Sequence, residues 1–344
     1  MTATVALVGA SHPAARALAL ALEADPAVER VIGLDTNEPP VLGPKFEYVP
    51  AQEGERLAGQ LSGTDAVVLF PTLDASNRDT DRQGRTVLEL AEQVRKGAEA
   101  TGARRLVLWS SGVAYGARSD NPVPLSETDP TRPRAEFAIA GQLVEVERAV
   151  LGFDGADGAV VLRAAPVWAP SWGTVFSRWL AAPVLLGISG ANPPMQALHP
   201  DDAASALAMA VTGALPGGVY NVAPDDSVEA GEVATIARRR RMQLPEPVMF
   251  GLAERMWSLG VADGPPGELH YLMWPWVLDA GKLRAAGWAP TRTSREALAE
   301  AGAAPRDGVA LGRLTIRRED IFRGIGAGLV GVTLLALARR ATKR

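Results

Sequence analysis

The stretch VALVGASHPAARALALALEA, residues 5–24, decides the fold. It opens as an apolar run of strand length, breaks at Gly9 and continues as an Ala/Leu-rich segment of helical character. Ser11 stands where a helix N-cap is expected, with Pro13 near the first helical turn. Working outward, strand signals fall at 30–36 (RVIGLDT), more weakly at FEYVP, then at 65–71 (DAVVLFP), 104–111 (RRLVLWSS) and 159–168 (AVVLRAAPVW). Residues 81–101 form a long helical stretch. Continuous apolar strands separated by helices predict a parallel sheet covered on both faces. The expected fold is α/β: a doubly wound Rossmann sheet over residues 1–170 with later returns, then a smaller C-terminal substrate lobe over 171–300. A linker at 301–323 and an apolar, basic-flanked tail at 324–344 complete the expected organisation.

A glycine after the first strand, a helix, and an acid at the end of the second strand form a dinucleotide-binding pattern. Gly9 supplies the glycine of the tight turn. The next glycine position holds His12 and the third holds Ala15. Alanine replaces a packing glycine at modest cost. His12 fills space that a pyrophosphate would use, unless its imidazole turns outward or contacts a phosphate. Asp35 at the tip of the second strand suits a ribose diol and would repel a 2′-phosphate, so NAD is favoured over NADP. Thr36 and Asn37 follow with no arginine beside them. The competing reading of Asp35 is an acid that only turns the chain.

Composition narrows the function classes. Of 344 residues, 47% are hydrophobic and 22% charged, which is globular. There is no cysteine, so disulfides, thiolate metal sites and cysteine nucleophiles are excluded. The three histidines, His12, His199 and His270, lack metal-ligand spacing, and no metal is expected. The opening MTATVALVGA has no basic n-region, so the body is expected in the cytoplasm. The net charge of −4 divides unevenly. Residues 313–344 hold eight Arg or Lys and two acids, giving +6, which leaves −10 for the rest. An acidic body argues against nucleic-acid binding.

From LVLWSSGVAYG onward the pieces together resemble the extended short-chain dehydrogenase/reductases, in the NAD-dependent epimerase/dehydratase branch. The resemblance spans roughly residues 4 to 300. VALVGASHPAA resembles the cofactor loop, DAVVLFP the strand on the adenine side, and VLRAAPVWAP the strand and turn beside the nicotinamide. MQALHPDDAASAL, GGVYNVAPDDSVEAGEVATIA and LDAGKLRAAGWAPTRTSREAL resemble the later strands and helices, in order. The resemblance implies a cofactor track along Gly9, Ser11, His12, Asp35, Thr36, Phe70, Pro71, Ser110, Ser111 and Pro166. It implies that Ser111 orients a substrate carbonyl or alcohol. A small-molecule substrate, a nucleotide sugar or a lipid-like compound, would come with it.

The family pattern then departs. In RAEFAIAGQLVEVE, residues 134–147, a Tyr and a Lys four apart would pass the proton and hold the nicotinamide ribose. Here those positions are Phe137 and Gly141. No Y-x-x-x-K occurs elsewhere: four residues after Tyr48, Tyr115, Tyr220 and Tyr271 stand Gln52, Ser119, Pro224 and Pro275. Two functions stay open. One is an NAD-binding protein that has lost the chemistry and serves as sensor or scaffold. The other is a working oxidoreductase or epimerase with non-standard proton transfer. Three secondary readings also stay open. Asp202 caps the helix AASALAMAV, or with His199 and Asp201 touches substrate. Arg163 pairs a substrate phosphate or forms a structural ion pair. The Trp-rich region 256–276 forms core, an apolar pocket or a membrane-facing patch.

The tail GIGAGLVGVTLLALA, residues 324–338, carries no charge and is flanked by Arg323 and by Arg339, Arg340, Lys343 and Arg344. As a helix it would span about 22 Å, short of the roughly 30 Å of a hydrocarbon core. Snorkelling arginines and an anionic surface favour membrane contact. Docking on the domain or on the partner of a homodimer is the competing expectation.

Overall fold

The computed structural model describes residues 2–40, 42–52, 54–169, 172, 175–182, 184–213, 215–303, 309–311 and 314–316. The first half runs β1 (Ala3–Val8), α1 (Pro13–Glu23), β2 (Val28–Asp35), β3 (Phe46–Pro50), α2 (Glu55–Gln60), β4 (Ala66–Leu69), α3 (Thr80–Ala100), β5 (Arg105–Ser111), α4 (Ala138–Leu151) and β6 (Gly158–Ala164). After these come α5 (Val175–Ala181), β7 (Val184–Ile188), β8 (Pro194–Met195), α6 (Pro200–Val211) and β9 (Gly218–Val222). The remaining elements are β10 (Val228–Glu229), α7 (Ala230–Ile236), β11 (Arg240–Leu244), α8 (Glu246–Ser258), α9 (Gly281–Ala285), α10 (Ser294–Ala303), β12 (Val309–Leu311) and β13 (Leu314–Ile316).

Seven strands form one sheet in the order β3-β2-β1-β4-β5-β6-β9, with every pair parallel. The strands read as unbroken apolar runs because both faces are covered. In β1, Val5 and Leu7 join the layer that holds Ala14, Leu18 and Leu22 of α1 and Ala203 and Leu207 of α6. Ala6 and Val8 face the opposite layer, with Leu57 and Leu61, and Val87, Ala91 and Val94 of α3. The strand order reverses between β1 and β4, and the crevice at the carboxyl ends of those strands is where such sheets bind ligands. β9 joins the sheet's edge, and α6 packs on one of its faces. β7 pairs with β11 and β8 with β10 beside it. Part of the expected linker forms a short antiparallel pairing, β12 with β13. The tail 324–344 lies outside the described residues. Among the described residues, no helix is long and apolar enough to cross a membrane.

Two expected helix caps move. The N-cap of α1 is His12, whose Nδ1 accepts the Ala14 N–H at 3.1 Å. Ser11 instead donates its hydroxyl to the Asn37 carbonyl. Pro13 is the first helical residue, which puts the cap one position later than expected. Likewise α6 is capped by His199, which accepts the Asp201 N–H. Asp202 is buried inside the helix and accepts the N–H groups of Thr291 and Arg292 and the Thr291 hydroxyl. It ties the segment before α10 to the sheet layer. His199 Nε2 meets Glu300 at 3.0 Å, a tie between the same two regions.

Arg163 on β6 forms the ion pair rather than awaiting a phosphate. Its Nη2 and Nε donate to the Glu147 carboxylate of α4 at 2.7 and 3.1 Å, with both side chains buried. Ser110 donates its hydroxyl to the same carboxylate at 2.5 Å. The Tyr115 ring lies under the guanidinium at 4.6 Å, and its hydroxyl donates to Asn221 of β9. Burial alone would lower the Arg163 pKa; the hydrogen bonds and charge of Glu147 outweigh it and raise the pKa. Glu147→Ala should therefore destabilise the fold by about 3–5 kcal/mol, the cost of one uncompensated buried charge. Chemical denaturation checks this, and a loss below about 1 kcal/mol would show that water enters the pair.

Candidate functional site

A cavity of about 420 Å³ opens at the carboxyl ends of β1, β4, β5 and β6. Gly9 ends β1 with φ of +87°, and a Cβ there would fall 2.4 Å from the Phe70 carbonyl oxygen. Only glycine fits the turn. Phe70 is buried after β4, and Pro71 follows it into the cavity wall. Asp35 ends β2, where it accepts the N–H groups of Ser11 at 2.8 Å and Asn37 at 3.0 Å. Thr36 stands beside it, its hydroxyl 3.5 Å from the same carboxylate. Both readings of Asp35 thus have support: it holds the turn, and a carboxylate with two hydrogen bonds keeps lone pairs for a diol.

His12 turns inward. Its ring stacks on Phe70 with centroids 5.6 Å apart and meets Trp172 edge-on at 6.4 Å. It lines the cavity together with Pro13. At this helix start the donors that would cradle a pyrophosphate are depleted. Pro13 has no N–H, the Ala14 N–H is held by the imidazole, and the His12 N–H goes to the Gly9 carbonyl. His12 thus occupies the position between the Asp35 carboxylate and the cavity.

On the other wall, Ser111 caps a 3-10 turn by accepting the Val113 N–H at 3.3 Å, which leaves its own proton to donate. Ser110 lines the cavity, but its hydroxyl is spent on Glu147. Pro166 lies in the lining as expected. Phe137 is the residue before α4, buried, with its ring edge-on to Tyr271 at 5.4 Å. Gly141 lies in the first turns of α4, and a Cβ there meets nothing within 4 Å. Both positions expected to carry acid–base groups are therefore filled by groups that hold no titratable proton. Tyr115 is committed to Asn221, and Tyr271 donates to the Val113 carbonyl while burial pushes its pKa up. Among the described residues, no group of His, Asp and Glu could hold a metal ion.

Several lining residues were not legible as site residues: Trp109, Trp172, Phe176 and Trp276. Each reads in the sequence as ordinary core. Trp276 alone carried a signal, through the Trp-rich region where it sits. Trp257 of that region instead stacks with Arg78.

Burial lowers the His12 pKa to about 4. In the unfolded chain this imidazole titrates near 6.5. Between those values the unfolded state binds more protons, so stability falls as pH falls through that window. Protonation would also turn Nδ1 from acceptor to donor and break the cap. His12→Asn keeps a capping acceptor and removes the titration. It should flatten the pH dependence of the melting temperature between pH 6.5 and 4, and an unchanged slope would assign that dependence elsewhere.

The chain and its fold resemble those of known proteins. The chain is 29% identical over 211 residues to an uncharacterized protein of Mycobacterium tuberculosis (strain ATCC 25618 / H37Rv), a match covering 58% of this chain and 54% of that protein. The chain thus spans about half the length of the curated relatives it matches. Among solved structures, MoeE5 in complex with UDP-glucuronic acid and NAD is 18% identical with a TM-score of 0.66, over 86% of this chain and 96% of the other. DesIV, a dTDP-glucose 4,6-dehydratase from Streptomyces venezuelae with NAD and TYD bound, is 17% identical with a TM-score of 0.67, over 87% and 95%. At such identities the likeness is one of fold. The model of the NAD dependent epimerase/dehydratase family matches residues 5–223, more than half of the chain, and the chain belongs to that family.

Proposed function

We propose that this protein binds NAD in the family's cleft and has lost the proton transfer of its enzymes, serving as a sensor or scaffold. The observation that carries the reading is the pair Phe137 and Gly141 at the head of α4. Membership of the family implies NAD as cofactor. Bound NAD would supply a hydride acceptor at its nicotinamide. Asp35 would hold the adenosine ribose, and Gly9 would let the backbone approach the cofactor. Ser111 keeps a hydroxyl that can orient a carbonyl, yet no described side chain in the lining both titrates near neutrality and touches it. His12 is the exception by residue type, but burial holds it neutral. NAD is favoured over NADP by the Asp35 carboxylate, which would repel a 2′-phosphate.

Two experiments test this. Calorimetry should show binding of NAD with preference over NADPH, and His12→Gly should tighten NAD by tenfold or more by freeing the Ala14 N–H and clearing the position that His12 occupies. No binding by either protein would remove the cofactor from the reading. Second, Phe137→Tyr with Gly141→Lys should create NADH formation with secondary alcohols where the parent shows none. The open space at Gly141 admits the lysine, and a positioned acid–base pair contributes about 10²–10⁴ in rate. Activity in the parent equal to the double variant would overturn the loss of chemistry.

A further inference from the structure

We propose that the cavity takes an uncharged, apolar small molecule bearing a hydrogen-bond acceptor such as a ketone, rather than a phosphorylated one. The inference rests on reading the cleft as a retained binding site and names the class of ligand it admits. A volume of about 420 Å³ suits a small molecule. Its walls are aromatic: Trp109, Trp172, Trp276, Phe137 and Phe176, each nine-tenths buried or more.

Among the described residues, charge disfavours a phosphorylated ligand inside the cavity, as distinct from the cofactor's pyrophosphate at the head of α1. Among the described lining residues the single formal charge is the carboxylate of Asp74, and no Lys or Arg is present. The nearby cation, Arg163, is neutralised by Glu147 behind the wall. A doubly negative group entering here would lose its water with no cation among the described lining residues to replace it, and would meet a like charge. A neutral ligand meets neither cost.

Ser111 and His12 supply donors to orient it. Ser111 accepts the Val113 N–H and keeps its own proton. His12 accepts at Nδ1 and stays neutral, so its proton is on Nε2. Both residues line the cavity, and each offers a donor to an otherwise apolar molecule.

The test uses the full chain and Prodan, an uncharged naphthyl ketone whose emission shifts to the blue on leaving water. Saturable one-to-one binding with a blue shift is expected. Ile139→Trp, at a partly buried lining position, should abolish it by filling the cavity, and Ser111→Ala should weaken it several-fold. Millimolar UDP-glucose should leave bound Prodan in place. Displacement by UDP-glucose, absence of a saturable shift, or parent-like binding by both variants would overturn the proposal. Circular dichroism of each variant separates a filled cavity from a lost fold. Titration with NAD runs alongside: loss of NAD binding with Prodan binding retained sinks the cofactor reading and leaves the ligand class standing.

Discussion

The site depends on one buried ion pair. Arg163 and Glu147 join β6 to α4, and the same carboxylate takes the Ser110 hydroxyl from β5. Through the Tyr115 ring and its hydroxyl the network reaches Asn221 on β9, whose amide donates to the carbonyls of Leu125 and Asp279. Four elements and two loops are thereby held in register by groups that water does not reach. Packing is non-directional and tolerates a helix turned by several degrees; a bidentate pair does not. The network holds α4 with Phe137 at its head, and so sets where that ring sits in the cleft.

The frame of the family surrounds a cleft with an aromatic lining. Gly9 remains because the Phe70 carbonyl leaves no room for a Cβ. Ser111 remains as the cap of its turn, so its presence is explained by structure as well as by chemistry. Three changes alter the interior in one direction. Phe137 puts a ring edge-on to Tyr271, His12 stacks a neutral imidazole on Phe70, and Trp172 closes over that imidazole. Each adds ring surface to the cleft, whose described lining is largely apolar and aromatic.

Much of this was legible in the residue order. The unbroken apolar runs of β1, β4, β5 and β6 predicted a sheet buried on both faces, and the loss of Tyr and Lys at 137 and 141 needed no coordinates. The two caps were misplaced because Ser11 and Asp202 are strong capping types, and local preference favours them. A tertiary demand prevailed: Asp35 and Asn37 already engage the Ser11 backbone and hydroxyl, and the Thr291 and Arg292 amides claim Asp202. The role of Arg163 stayed open for the same reason. Its partner lies 16 residues away on another element, and nothing local marks it.

By itself, then, the sequence determined the fold class, the glycine turn, the acid at the end of β2 and the absence of any Y-x-x-x-K. These follow from periodicity and from residue types whose chemistry does not depend on their neighbours. The tertiary structure alone decided which way His12 faces, that Arg163 is neutralised, and that four aromatic residues drawn from β5, the segment after β6, α5 and the loop before α9 share one cavity. Those are facts of proximity between segments up to about half the chain apart, and proximity is settled by how the layers pack.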